Sequence, residues 1–177
     1  MDFTKLAQVQ LSLDTNIRPF KCSEDDLNGF LFDDAKQFHK ELMAVTYLIE
    51  YPQEDITVAY FSLLADKINF DPENKSVWNR LNRNIPNNKR RRSYPAVKIG
   101  RLAVHENYTG EGLGTFVLDS IKYAFTKVRR LGCRFITVDA LSSASPFYER
   151  NGFMFFTESD KDDDTRLMFF DLKKFSL

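Results

Sequence analysis

The sequence is short of the residues that bind metals. Its 177 residues include two cysteines, Cys22 and Cys133, and two histidines, His39 and His105. The cysteines lie far apart and form no C-x-x-C pair, so no metal site is expected. Long apolar runs are missing too: none approaches the roughly 18 residues of a membrane span, and MDFTKLAQVQLSL has no basic start followed by an apolar stretch. No membrane association is expected, and a reducing cytoplasm is the expected location. Excess charge of one sign is also absent. Lys+Arg and Asp+Glu stand at 25 each and the pI is near 6.7. Such a chain has no global attraction for polyanions, so any such binding has to come from a local patch.

What is present describes a globular protein. The chain is 43% hydrophobic and 28% charged, with a mean hydropathy of -0.39. Its length suits a single domain over residues 1–177. Seventeen Phe and seven Tyr against one Trp point to a core filled by aromatic rings.

Pattern and punctuation predict the elements. Asn16–Lys21 reads as a short strand, and Ser23 as the cap of helical structure running to about His39. Leu42–Tyr51 and Ile56–Leu64 are β-branched and aromatic runs around a Pro52–Asp55 turn, an antiparallel hairpin. A polar stretch from Ala65 to Pro95 carries one helix near Ser76–Arg83. Ala96–Val104, Glu111–Leu131 and Arg134–Ala140 read as strand, long helix and strand, a β-α-β unit. A helix over Ser142–Asn151 and strands at Phe153–Thr157 and Arg166–Phe170 complete an α+β arrangement with a mixed central sheet of about six to seven strands and flanking helices.

The strongest chemical signal is HENYTGEGLGTFVLDSI, in which Gly110, Gly112 and Gly114 alternate between a strand and the start of a long helix. Glycines there allow successive backbone N–H groups to point into one concavity, and the helix start adds the positive end of its dipole. Such a turn suits a phosphate or diphosphate. It lacks the Gly-Lys-Ser/Thr of a nucleotide-hydrolysing loop and the G-x-G-x-x-G dinucleotide spacing. A turn that merely lets helix and strand pack closely would carry the same glycines.

GRLAVHENYTGEGLGTFVL resembles the acetyl-CoA signature of the GCN5-related N-acetyltransferases (GNAT), Gln/Arg-x-x-Gly-x-Gly/Ala. Thr109 stands where that pattern has Gln or Arg. VDALSSASPFYERNGF resembles the second hallmark, with Phe147, Tyr148, Gly152 and Phe153 in place, while Leu141 replaces an Asn common in the family. The resemblance implies acetyl-CoA as cosubstrate. Its diphosphate would lie over Thr109, Gly110, Glu111, Gly112, Leu113, Gly114 and Thr115, its pantetheine along Leu102, Ala103 and Val104, with Phe147 packing beneath. It also implies direct attack by an amine, with Tyr148 as the general acid that protonates the leaving thiolate. The alternative for Tyr148 is a core tyrosine with a satisfied hydroxyl. His105 could relay a proton through water or simply be exposed. Cys133 reads as a small buried hydrophobe rather than a nucleophile.

Between Asn74 and Arg101 stand nine basic residues, Lys89, Arg90, Arg91 and Arg92 consecutively among them, and no acidic one. Adjacent cations on a loop suit a polyanion. Alternatively, the loop is neutralised by the acidic tip Asp160–Asp164 or grips the CoA 3'-phosphate. The order IRPFKCSEDDLNGFL, TVAYFSLL, PAVKIGRLAV is similar to the acetyltransferase toxins of bacterial toxin-antitoxin pairs, which acetylate the amino acid on charged tRNA. That resemblance implies aminoacyl-tRNA as substrate, bound by Lys89–Arg92, and an antitoxin partner; the oligomeric state is left open, a homodimer being one expectation. An aminoacyl ester also offers an α-amine with a pKa near about 8, far below the lysine value of about 10.4. Acetylation of a small amine or a protein N-terminus, or an idle CoA-binding module, are the competing readings.

Overall fold

The structure is a computed structural model that describes residues 1–128 and 131–175. Its strands are β1 (Ala7–Gln10), β2 (Val45–Tyr51), β3 (Ile56–Asn69), β4 (Ser93–Val104), β5 (Phe135–Leu141), β6 (Met154–Phe155) and β7 (Thr165–Asp171). Its helices are α1 (Asp25–Gly29), α2 (Ala35–Lys40), α3 (Lys75–Asn82), α4 (Leu113–Tyr123) and α5 (Ser145–Arg150). Two compact units make up the chain: residues 1–64 with 99–120, and 65–98 with 121–177. The strands form one sheet in the order β1-β2-β3-β4-β5-β7-β6, with the long strands β3 and β4 contributing to both units. β4 and β5 are neighbours joined through α4, the crossover that a parallel pair requires.

In the first unit, β1 and β3 both pair antiparallel with β2. The expected hairpin is present, but its first strand starts at Val45 rather than Leu42. Leu42 is 92% exposed and sits in the left-handed region (φ 57°), closing α2 as Met43 N–H returns to the Phe38 carbonyl at 2.9 Å. The expected strand over Asn16–Lys21 does not form. Pro19 has no N–H for a ladder, and this segment instead offers single carbonyls: Pro19 to Thr57 N–H and Lys21 to Glu106 N–H. The edge strand is β1, whose four residues AQVQ carry too little apolar signal to be read from sequence. α1 and α2 are joined by a π-helical turn, Phe30–Asp34, which turns Phe30 and Leu31 inward. The α1 N-cap is Glu24, with no side-chain bond, rather than Ser23. This unit's core gathers Leu11, Phe20, Phe30, Leu31, Leu48 and Tyr60. Phe20 meets the Tyr60 ring edge-on at 5.4 Å, and the Tyr60 hydroxyl donates to the Leu27 carbonyl at 2.7 Å.

In the second unit, β5 and β6 both pair antiparallel with β7. Its core is an aromatic chain: Trp78 stacks on Tyr94 at 5.3 Å, and Tyr94, Phe135, Phe169 and Phe156 follow as edge contacts of 5.9 to 6.1 Å. Such contacts add roughly 0.5–1.5 kcal/mol each beyond burial. The polar stretch expected from Ala65 to Pro95 is shorter than its composition implies, since β3 runs on to Asn69 and β4 begins at Ser93. The last helix starts at Ser145 without a side-chain cap, not at Ser142, whose hydroxyl donates to the Asp163 carbonyl. α4 passes into a π-helical turn over Ala124–Val128; part of the remainder of the helix expected to Leu131 lies outside the described residues.

One buried polar pair can be tested directly. Thr46 and Ser62 face each other across β2 and β3 at 2.7 Å, with Thr46 0% and Ser62 1% exposed. Thr46→Val should cost about 1–3 kcal/mol by orphaning the Ser62 hydroxyl. Adding Ser62→Ala should recover part of that loss, as urea unfolding of the two variants would measure.

Candidate active site

In the first unit, β4 ends at Val104 and the chain makes a 3-10 turn, Glu106–Tyr108, before the glycines. Main-chain bonds fix this turn: His105 N–H donates to the Val58 carbonyl and Glu106 N–H to the Lys21 carbonyl, each at 2.8 Å. His105 caps the turn itself, its Nδ1 accepting from Asn107 N–H at 3.2 Å. The ring is half-buried and edge-on to Phe20 and Tyr108. His105 is thus a capping group with one nitrogen engaged, rather than a freely exposed imidazole.

Gly110 and Gly112 adopt φ of 81° and 83°, a conformation that disfavours any Cβ. A methyl group added at either would meet nothing within 4 Å. It is the backbone conformation, and not a lack of room, that calls for glycine at both positions, and the turn's face is open. α4 begins at Leu113 directly beyond it. The opening N–H groups of a helix have no intrahelical acceptor, and among the described residues Leu113, Gly114 and Thr115 N–H donate to no other group. Unspent donors, the dipole end and a Cβ-free surface suit a diphosphate. Glu111 would oppose an anion, but its carboxylate turns to the Met1 ammonium at 3.1 Å. Thr109 also turns inward, its hydroxyl donating to the Glu106 carbonyl at 3.0 Å. On β4, Ala103 is buried while Leu102 and Val104 are half-buried.

In the second unit, α5 carries Phe147, half-buried, and Tyr148, 6% exposed. Tyr148 is wedged edge-on between Phe147 at 5.1 Å and Phe153 at 5.3 Å. Burial pushes its phenol well above the ordinary tyrosine range, so the group holds its proton throughout neutral pH. Its hydroxyl makes no hydrogen bond to another side chain or to the main chain among the described residues.

Lys89, Arg90, Arg91 and Arg92 are all exposed, and among the described residues none lies within 4.0 Å of a carboxylate. The Arg92 guanidinium lies 5.7 Å from the centre of the Phe70 ring, and Arg90 Nε donates to the Ile85 carbonyl. The segment is nonetheless anchored. Tyr94 accepts from Arg91 N–H at 3.0 Å and donates to Asn82 at 2.6 Å. Within the acidic tip, Asp160 serves other partners, taking Arg166 Nε at 2.7 Å and Leu167 N–H at 2.8 Å. Neutralisation of the basic loop by that tip is not observed.

Neither cysteine is set up as a nucleophile. Burial raises the Cys22 thiol and pushes Cys133 up to about 11; the Cys133 thiol donates to the Phe135 carbonyl at 3.1 Å. Among the described residues there is no cluster of three metal-ligating side chains, and no helix is long and apolar enough to cross a membrane. One contact had no signal in the sequence: the Tyr108 hydroxyl donates to Glu54 at 2.5 Å, and 54 positions separate the two.

A mixed seven-stranded sheet whose strand β4 opens through a glycine turn into a crossover helix is the architecture of an acetyl-CoA-dependent N-acetyltransferase. Residues 82–154 match the model of the acetyltransferase (GNAT) domain. No curated protein matches it. Solved structures share its fold. A tyrosine-to-phenylalanine mutant of the toxin AtaT, bound to the C-terminus of its antitoxin AtaR, has a TM-score of 0.73 at 20% identity, covering 96% of this chain and 94% of that one. A similar mutant of KacT has a TM-score of 0.74 at 22% identity, covering 96% of each chain. AtaT complexed with acetyl-methionyl-tRNAfMet has a TM-score of 0.71 at 22% identity, covering 95% of each.

The glycine turn makes a direct prediction. Gly112→Ala should destabilise the fold by about 1–2 kcal/mol, the cost of a side chain in the left-handed region. It should also weaken CoA binding more than tenfold, because the new methyl group stands in the open concavity. Calorimetry with CoA and thermal unfolding of the same sample would check both.

Proposed function

We propose that this chain transfers the acetyl group of acetyl-CoA to the α-amino group of an aminoacyl-tRNA, and that Lys89–Arg92 bind the tRNA. The observation that carries this reading is the basic segment: four adjacent exposed cations without a carboxylate partner among the described residues, held by a buried tyrosine. Cations left unpaired on an anchored loop attract phosphates and release counterions. The likeness to AtaT, solved with acetyl-methionyl-tRNAfMet, supports RNA over other polyanions. An antitoxin partner is inferred from the AtaT complex with AtaR.

Acetyl-CoA supplies an activated acyl thioester when bound. The chain's residues account for the rest. The amides at the start of α4 and the Gly110–Gly112 turn hold the diphosphate, and the dipole end of α4 favours its charge. Leu102, Ala103 and Val104 of β4 would align the pantetheine arm. Tyr148, kept protonated by burial in the second unit, is the residue that the resemblance assigns as general acid for the departing thiolate. No side chain is required to deprotonate the nucleophile, because an α-ammonium with a pKa of about 8 leaves a usable minority of neutral amine at physiological pH, far more than a lysine does.

Incubation with labelled acetyl-CoA and total charged tRNA, followed by identification of the acetylated aminoacyl ester, tests the substrate. Turnover of small amines without any of tRNA would replace this reading. Reversing Arg90, Arg91 and Arg92 to Glu should lower tRNA acetylation at least 100-fold and leave the CoA affinity unaltered; the wild-type reaction should weaken steeply with salt. Tyr148→Phe should lower kcat about 100-fold with little change in CoA affinity. Wild-type kcat/KM should rise with pH up to about 8 as the amine loses its proton. No fall from Tyr148 should follow through pH 9, since a raised phenol pKa keeps the acid form present there.

A further inference from the structure

We propose that Glu54 and Tyr108 are positioning residues: their hydrogen bond latches the diphosphate turn to the tip of the β2-β3 hairpin and sets the affinity for acetyl-CoA. The inference rests on the reading that the Gly110–Gly112 turn takes the diphosphate.

Beyond the Glu111–Met1 ion pair, the turn itself has little to hold its shape. Two main-chain bonds fix its entrance at His105 and Glu106, but Gly110 and Gly112 are flanked by open space and have the widest conformational freedom of any residue type. Thr109 closes only on Glu106. Tyr108 is therefore the last residue before the glycines whose side chain reaches another segment of the unit, at 2.5 Å from Glu54. A phenol donating to a carboxylate is a charge-assisted bond, stronger than a neutral one. That bond also raises the phenol to about 12, so the donor proton persists across neutral pH.

The other end of the latch is stiff. The hairpin tip starts with Pro52 and ends with Asp55 in the left-handed region at φ 54°. Arg18 Nε braces its base, 3.5 Å from the buried carboxylate of Glu50 and 3.2 Å from Asp55. The ladder also breaks there: Ile49 pairs with Ala59 and Glu50 with Thr57, leaving Val58 as a bulge. The carbonyl of that bulged Val58 is the one that receives His105 N–H. Hairpin tip and glycine turn are thus tied twice, once by main chain and once by the Glu54–Tyr108 pair. A turn ordered before the ligand arrives loses less freedom on binding, and the difference is read in affinity.

The test uses the intact chain and CoA alone, so that it does not depend on the acceptor. In calorimetry, Tyr108→Phe and Glu54→Ala should each weaken CoA about 5- to 20-fold, Glu54→Gln should fall between them and wild type, and the double variant should be no weaker than either single. The thermal midpoint should move little, because both groups lie at the surface. With a working acceptor, KM for acetyl-CoA should rise while kcat at saturation holds. Equal CoA affinity in wild type and Tyr108→Phe, or multiplicative losses in the double variant, would overturn the latch. If wild type fails to bind CoA, both this inference and the diphosphate reading fall. If the variants weaken CoA but tRNA is not acetylated, the latch stands and the tRNA reading falls.

Discussion

The first unit is organised around a conformation that side chains disfavour. Backbone at φ near +80° is strained for residues with a Cβ, and two such positions two residues apart at the mouth of a helix leave a concave strip of main chain. The elements around it serve to deliver that strip in one place. β4 carries the chain to the turn, Lys21 and the bulged Val58 accept its first amides, and α4 carries it away. The extended run up to Lys21 forms no strand and meets the rest of the unit through single main-chain bonds at Pro19 and Lys21.

The second unit solves a different problem, which is how to keep a cluster of like charges in a defined place. Lys89–Arg92 repel one another and have no local counter-charge among the described residues, so a loop of this composition would spread in solvent if left to itself. The aromatic column beneath supplies the constraint. Tyr94 is buried between Trp78 and Phe135, and its hydroxyl spans Arg91 and Asn82. The many phenylalanines noted in the composition fill much of both cores, and the basic loop depends on one of those cores for its position.

Legibility varied with how local the cause was. The glycine turn was legible because its requirement is local: left-handed backbone between a strand and a helix calls for glycine whatever else the chain does. The β2-β3 hairpin was legible from its β-branched runs and Pro52. β1 was not, because four weakly apolar residues at an edge are defined only by the strand they join. Leu42 misled for a related reason: an apolar residue beside a strand was assigned to it, while the backbone used that position to end α2. His105 kept two open readings until the turn consumed its Nδ1.

Composition, periodicity and short motifs by themselves determined the α+β class, the β-α-β unit, the glycine turn and the basic segment, since each follows from the residue types of one contiguous stretch. Tertiary structure alone decided which polar groups are spent and which are left. It turned Asp160 of the acidic tip onto Arg166 rather than the basic loop, left the Tyr148 hydroxyl without a partner among the described residues, and brought Glu54 to Tyr108 across 54 positions. Hydrogen bonds between distant segments depend on strand register and loop closure, and those are properties of the folded chain rather than of any window of its sequence.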